Sequence, residues 1–339
     1  MISKKLIFGS FLLTAMLFSA CKKQKQDQQE ADGSQPTVVK TPDFSGDSAY
    51  AYVARQVAFG PRVPNTEAHR RCGDYLIAKL KEYGAQVTVQ EFTATTYDGK
   101  KLASRNIIGS LNPQAAKRIL LASHWDSRPF ADQDSVATDR QKPVPGANDG
   151  ASGVGVLLEL ARTVQKGETK PEVGIDIIFF DAEDWGNAEK ATDTVNGINY
   201  MGFCLGSRYW AANKHQPNYT AYYGILLDMV GAKNATFLRE GDSVNYAPSV
   251  VNSVWQAASD LGYSQYFVNQ PGPTILDDHI PVNTIAKIPM IDILHTNPST
   301  GGFFPHWHTD TDNMDPIDPA TLKAVGQVLL QVLYRESIQ

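Results

Sequence analysis

Seven side chains of this 339-residue chain could bind a cation or move a proton where apolar runs come to an end: His124, Asp126, Asp149, Glu183, Asp184, Asp228 and His308. The densest case is "FFDAEDWG", in which Asp181, Glu183 and Asp184 follow directly on Phe179 and Phe180. His124 and Asp126 follow "KRILLAS", Asp228 closes "YYGILLD", and Asp292 lies near the end of "IPMIDILH". Carboxylates gathered at the mouth of a low-dielectric core repel one another, and a cation would relieve the repulsion. A donor set of carboxylate and imidazole suits zinc or another transition ion better than calcium or magnesium. The sequence has no HExxH helix, no CxxC pair and no GxSxG elbow, so the residues must be brought together by the fold.

The elements that would do this alternate along the chain. Helical spacing runs through "DSAYAYVARQVAFG", "TEAHRRCGDYLIAKLKEYG", "GASGVGVLLELARTV", "APSVVNSVWQAASDLG" and "DPATLKAVGQVLLQVLYRE". "AQVTVQEF" and "SRNIIGSL" read as strands of a hairpin turning at Asp98-Gly99. "KRILLASHWD", "GIDIIFFDAED", "YYGILLDMVG" and "IPMIDILH" read as strands buried on both faces. Strands and helices in this order predict one three-layer α/β/α domain over residues 44–339, with a mixed, mostly parallel central sheet. Ligands of such sheets bind beyond the carboxyl ends of the strands, where the acidic residues fall. The glycines of "GASGVGV" lack the spacing of a dinucleotide loop and predict close helix packing instead. Asp149, just ahead of that helix, could alternatively serve as its cap.

Composition is that of a globular protein, 42% hydrophobic and 20% charged. The net charge of −5 and the lack of a basic patch interleaved with aromatics argue against nucleic acid as a partner. Residues 1–20 read as an export signal: Lys4 and Lys5, then an apolar stretch from Leu6 to Phe18. Ser19-Ala20 before Cys21 resembles a lipoprotein signal, with Cys21 lipidated and the protein anchored to the bacterial cell envelope. Residues 21–43 are expected to be a disordered tether. Cys72 and Cys204 are left as either a disulfide or two buried thiols. A monomer is expected.

"SHWDS", "GANDGASGVGVLLELAR", "IIFFDAEDWG", "LLDMVGA", "DDHIPV" and "HWHTDTDNMD" occur in this order. Together they resemble the zinc aminopeptidase and glutaminyl cyclase superfamily, and within it the bacterial glutaminyl-peptide cyclotransferases of the animal-like type. The resemblance implies conversion of N-terminal glutamine of peptides and proteins to pyroglutamate with release of ammonia. It implies one zinc ion held by Asp149, Asp184 and His308, with Glu183 as general base and acid. It implies that Asp228 and Asp277 form a hydrogen-bonded acidic pair handling the leaving ammonia, and that Trp307 lines the substrate pocket. A second pocket tryptophan usual in the animal enzymes has no counterpart in "NAEKATDTVNGINYMGF", so either Trp185, Tyr200 or Phe203 forms that wall or the wall is missing. His124 and Asp126 would either orient the ligands or help hold a second metal, as in a two-zinc aminopeptidase, the rival reading.

Overall fold

The computed structural model describes residues 38–336. The expected signal segment, Cys21 and the tether up to residue 37 lie outside the described residues. Six strands form the central sheet: β1 (Gln86–Thr95), β2 (Lys101–Leu111), β3 (Arg118–His124), β4 (Gly174–Phe180), β5 (Tyr223–Asp228) and β6 (Met290–Leu294). Their spatial order is β1-β2-β4-β3-β5-β6. The β1–β2 hairpin is antiparallel, as is β2 against β4, and the remaining neighbours are parallel. The expected mixed, mostly parallel sheet is therefore present.

Alternate side chains of a strand point to opposite faces, and both faces are apolar here. Ile119, Leu121, Ile175, Ile177, Phe179, Ile225, Leu227, Ile291 and Ile293 meet one helical layer. That layer consists of α1 (Gly46–Val57), α2 (Glu67–Glu82), α3 (Ala151–Lys166), α6 (Pro248–Asp260) and α8 (Pro319–Arg335). Leu120, Ala122, Ile178, Phe180 and Leu226 meet the other layer. There α4 (Leu205–Ala212) packs beside α7 (His279–Pro281), which widens into a π turn over Val282–Ala286. A short α5 (Gly241–Tyr246) precedes α6. The sequence reading had no α4 and no π turn.

Local chemistry sets the helix ends. The Ser45 and Thr66 hydroxyls accept from the backbone at Ser48 and His69, and Asp318 caps α8 ahead of Pro319. Helix α3 has no side-chain cap, since Gly150 occupies the capping position. Asp149 is thus not a cap and its carboxylate is left for other partners. A Cβ on Gly153 would lie 2.4 Å from Ser123 Oγ and 2.6 Å from the Leu227 carbonyl oxygen, so α3 rests directly on β3 and β5.

Residues 39–43, expected within the tether, instead lie along α8. The Gln331 side-chain amide brackets the backbone of Val39. Gln327 donates to Thr41 Oγ1 (2.9 Å) and to the Pro42 carbonyl oxygen (3.1 Å), while Lys323 pairs with Asp43 (2.9 Å). Phe44 is fully buried against Gly326, where a Cβ would stand 2.2 Å from the ring. Burial of such a ring contributes roughly 1.5–3 kcal/mol, enough to end the tether here. No helix among the described residues is long and apolar enough to cross a membrane.

Candidate metal centre and catalytic cleft

Most of the chemically active side chains stand where a strand ends or a helix begins, and His308 lies in the loop between β6 and α8. His124 is the last residue of β3 and Asp228 the last of β5; Asp149 directly precedes the Gly150 start of α3. Glu183 and Asp184 follow β4 by way of Ala182, which has φ 53°. Met229 (φ 49°) and His308 (φ 55°) share this left-handed conformation, an uncommon one for residues with a side chain. Asp126 secures the turn after β4: its two carboxylate oxygens accept from the backbone N–H of Glu183 (3.1 Å) and of Asp184 (3.2 Å). Asp312 does the same for the loop before α3, accepting from Asn148 and Asp149 at 2.8 and 3.1 Å. Arg62, wholly buried, donates to the carbonyls of Pro145 and Gly146 in that loop.

Asp149, Asp184 and His308 bring one ligand atom each within 4.8 Å of one another. A second group, His124, Asp149 and Asp228, meets the same measure and shares Asp149 with the first. His308 Nε2 is 3.2 Å from Asp184 Oδ1 and 3.8 Å from Asp149 Oδ2; His124 Nε2 is 2.9 Å from Asp149 Oδ1 and 3.3 Å from Asp228 Oδ1. Asp184 Oδ2 is buried without a hydrogen-bond partner. An orphaned carboxylate oxygen among imidazole and carboxylate donors fits a zinc ion.

Arg128 is a member the sequence reading missed. It donates to Asp184 Oδ1 (3.0 Å) and to the carbonyls of Asp184 (3.1 Å) and Gly186 (3.1 Å), and forks onto Asp132 at 2.6 and 2.9 Å. Asp132 Oδ1 lies 3.5 Å from His308 Nδ1, the kind of partner that orients a ligating histidine. In sequence, "DSRPF" carries no sign that its arginine is buried. Burial opposes ionisation of Asp149, yet His124, His308 and Arg128 hold its carboxyl below the usual range. Burial likewise opposes charge on His124, and the carboxylates of Asp126, Asp149 and Asp228 overcome it, holding His124 well above its ordinary value.

Glu183 behaves oppositely. Burial, then the negative charges of Asp184, Asp277 and Asp278, push its carboxyl well above the usual range, with His124 opposing. Asp228 is raised to about 7 by burial and Asp149. Asp277 and Asp278 are raised too, by burial first. Asp228 and Asp277 both line the cleft, and their negative charges add to burial in raising Asp292, fully buried on β6, well above the usual carboxyl range.

The cleft has a volume of about 290 Å³. Glu183, Asp149, Asp184 and His308 line its polar side, and Met201, Phe203, Met229, Ile275, Phe303 and Trp307 its apolar walls. Trp307 stacks on the His308 ring at 3.7 Å between centroids. Trp185, expected as a pocket wall, is not among the lining residues. The left-handed turn at Ala182 aims Glu183 and Asp184 at the cleft and sends Trp185 to the β1–β2 side, edge-on to Phe130 (6.0 Å) and under Lys100 (5.0 Å). Tyr200 is fully buried elsewhere, and Phe203 supplies the wall. His69 Nε2 meets Asp181 at 2.8 Å, which leaves Asp181 a structural acid. Cys72 and Cys204 are both free and buried, so the bridge is not made.

Among solved structures, a Zn-dependent exopeptidase from Parabacteroides distasonis is 55% identical, with a TM-score of 0.82 over 87% of this chain and 99% of its own. A Bacteroides thetaiotaomicron glutaminyl cyclase bound to N-acetylhistamine is 52% identical, with a TM-score of 0.82 over 87% and 99%. The bovine glutaminyl-peptide cyclotransferase is 26% identical over 297 residues, 79% of this chain and 76% of its own. Residues 106–333, from the second strand to the closing helix, match the model of peptidase family M28. With the sheet order, the acidic strand ends and these likenesses in agreement, the chain belongs to peptidase family M28.

Proposed function

We propose that this protein is a zinc-dependent glutaminyl-peptide cyclotransferase. It closes the N-terminal glutamine of peptides and proteins to pyroglutamate and releases ammonia. The observation that carries the reading is a cleft of about 290 Å³ with Glu183 beside Asp149, Asp184 and His308 and an apolar lining that includes Trp307. Support comes from the solved glutaminyl cyclase that shares 52% of its residues with this chain.

Zinc bound by Asp149, Asp184 and His308 would supply Lewis acidity toward the γ-amide carbonyl. Glu183 accepts a proton as the substrate's α-amine attacks the amide carbon and a new C–N bond forms. It returns the proton to the amide nitrogen as the old C–N bond breaks and ammonia leaves. Asp228 and Asp277, both raised by burial first, face the departing nitrogen. Trp307 and Phe203 fold the substrate side chain back on its own amine, and this orientation is a large part of the rate. His124 and Asp126 act as orienting partners and one zinc serves each chain. The protein works outside the cytoplasm, held to the envelope through lipidated Cys21; Cys21→Ser should release it from the membrane fraction, and retention would refute the anchor.

The decisive measurement is the mass of products. Gln-initiated peptides should lose ammonia (about 17 Da, the leaving group of amine attack), and Leu- or Ala-initiated peptides should stay intact. A second reading is favoured by the His124, Asp149 and Asp228 group: a two-zinc aminopeptidase. Two tightly held zinc ions per chain by elemental analysis, with Leu-initiated peptides shortened by one residue, would establish it instead.

A further inference from the structure

We propose that Cys204 is a positioning residue for Glu183: its thiol holds the Glu183 carboxyl by a hydrogen bond in the orientation from which it exchanges protons with the substrate. The proposal rests on the role given to Glu183 above.

Cys204 Sγ lies 3.6 Å from Glu183 Oε1, within reach for a thiol donor. Among the described residues, no other side chain hydrogen-bonds to that carboxyl. The backbone locks the two together: Cys204 N–H donates to the Glu183 carbonyl oxygen (3.0 Å) and Leu205 N–H to that of Ala182 (3.2 Å). Cys204 itself has φ 58° at the entrance to α4, so the chain accepts an unfavourable conformation there. The thiol is completely buried and sits in an apolar cluster with Tyr200 and Ile280, flanked by Phe203 and Leu276. Asp277 is the further acid nearby, with a carboxylate oxygen within 4.8 Å.

A glutamate side chain has several rotatable bonds, and each left free costs order at the moment of reaction. Phe203, Leu276 and Glu183 line the cleft and Cys204 does not, so the thiol meets Glu183 outside the surface open to substrate. A neutral and weak donor orients one oxygen without contributing a competing charge.

The test compares Cys204→Ala with Cys204→Ser in the zinc-loaded enzyme. Alanine should lower kcat roughly three- to tenfold, the range open to one weak hydrogen bond, with KM and zinc content unchanged. Serine should keep kcat within about twofold, because its hydroxyl restores the donor. Thermal stability should rank the other way, since an apolar shell tolerates a methyl better than a hydroxyl. Equal kcat in the two variants, or activity that follows stability, overturns the proposal. An infrared measurement decides it without turnover. The S–H stretch of Cys204, isolated by difference from the alanine variant, should shift when Glu183→Ala removes the acceptor. An unmoved band overturns the proposal even if Gln-initiated peptides are cyclised. A wild-type enzyme that fails to cyclise them, with the band shifting as expected, refutes the function and leaves the contact standing.

Discussion

The cleft is built from two acidic regions that treat charge in opposite ways. On the side of Asp149 and Asp184, every carboxylate has a cation in contact: Arg128 on Asp184 and Asp132, His124 on Asp149, His308 on Asp184. On the side of Asp228, Asp277, Asp278 and Asp292, His124 touches Asp228 (3.3 Å), and His279 lies closer to Glu240 (3.3 Å) than to Asp292 (4.0 Å). Burial and mutual repulsion therefore raise all four carboxyls. The first region is arranged to hold ionised oxygens, as a metal requires. The second is arranged to hold protons. One cleft thus brings together a carboxyl held low, Asp149, and carboxyls held high, Asp228 and Asp277.

The largest effect expected from breaking this arrangement is on turnover. Glu183→Gln should lower kcat by about 10²–10⁴-fold, as for loss of a general acid–base, and keep its zinc. Asp184→Ala should lose zinc and activity together. Elemental analysis beside an ammonia-release assay separates the two, and zinc loss in the glutamine variant would contradict the roles assigned.

Stability is the next measure. Arg128→Met leaves Asp184 and Asp132 without their cation, and breaking a buried pair in this way costs about 3–5 kcal/mol. Asp292→Asn swaps a carboxyl expected to be protonated for a neutral group of the same shape, and should change stability by less than about 1 kcal/mol near pH ~4, where the unfolded carboxyl is protonated too. Urea unfolding of the zinc-free variants tests both. A similar loss in each would erase the distinction between the regions.

The smallest effect is on pH dependence. A raised carboxyl binds its proton more tightly folded than unfolded. Its stabilising contribution is complete below the unfolded pKa near ~3.9 and is lost as pH rises through the folded value, about 7 for Asp228. Asp149, held low, has the opposite sign: its contribution is present above the unfolded pKa and is lost as pH falls. Unfolding temperature of the zinc-free protein should therefore decline between about pH 5 and 8, and Asp292→Asn should flatten that decline. An unchanged slope in the variant would show that these carboxyls are ionised when folded.

Much of this was readable in the chain because the signals are local. Continuous apolar runs such as "RILLAS" and "IDIIFF" specify strands covered on both faces, and the residues that close them fall at the cleft. What could not be read depends on contacts across many residues. Arg128 is remarkable for nothing in sequence until Asp132 and Asp184 surround it. Trp185 stands one position from Asp184, but the turn at Ala182 sends the two side chains apart. Asp292 was visible as an acid near a strand end, while its complete burial and the charges of Asp277 and Asp228 that act on it need the fold. The segment 39–43 looks polar and unstructured, and Lys323, Gln327 and Gln331 on a helix distant in sequence hold it.

That last contact has a geometric consequence. Asp318, at the head of α8, meets Gly231 just beyond the end of β5, while Glu336 at its foot pairs with Lys117 before the start of β3. Helix α8 therefore runs from the cleft end of the sheet to the opposite end. The segment from Val39 to Asp43 climbs it from Gln331 toward Lys323, so the chain enters the domain from the blunt end. The segment from Val39 to Asp43 therefore lines no part of the cleft, and the first described residues leave its mouth uncovered.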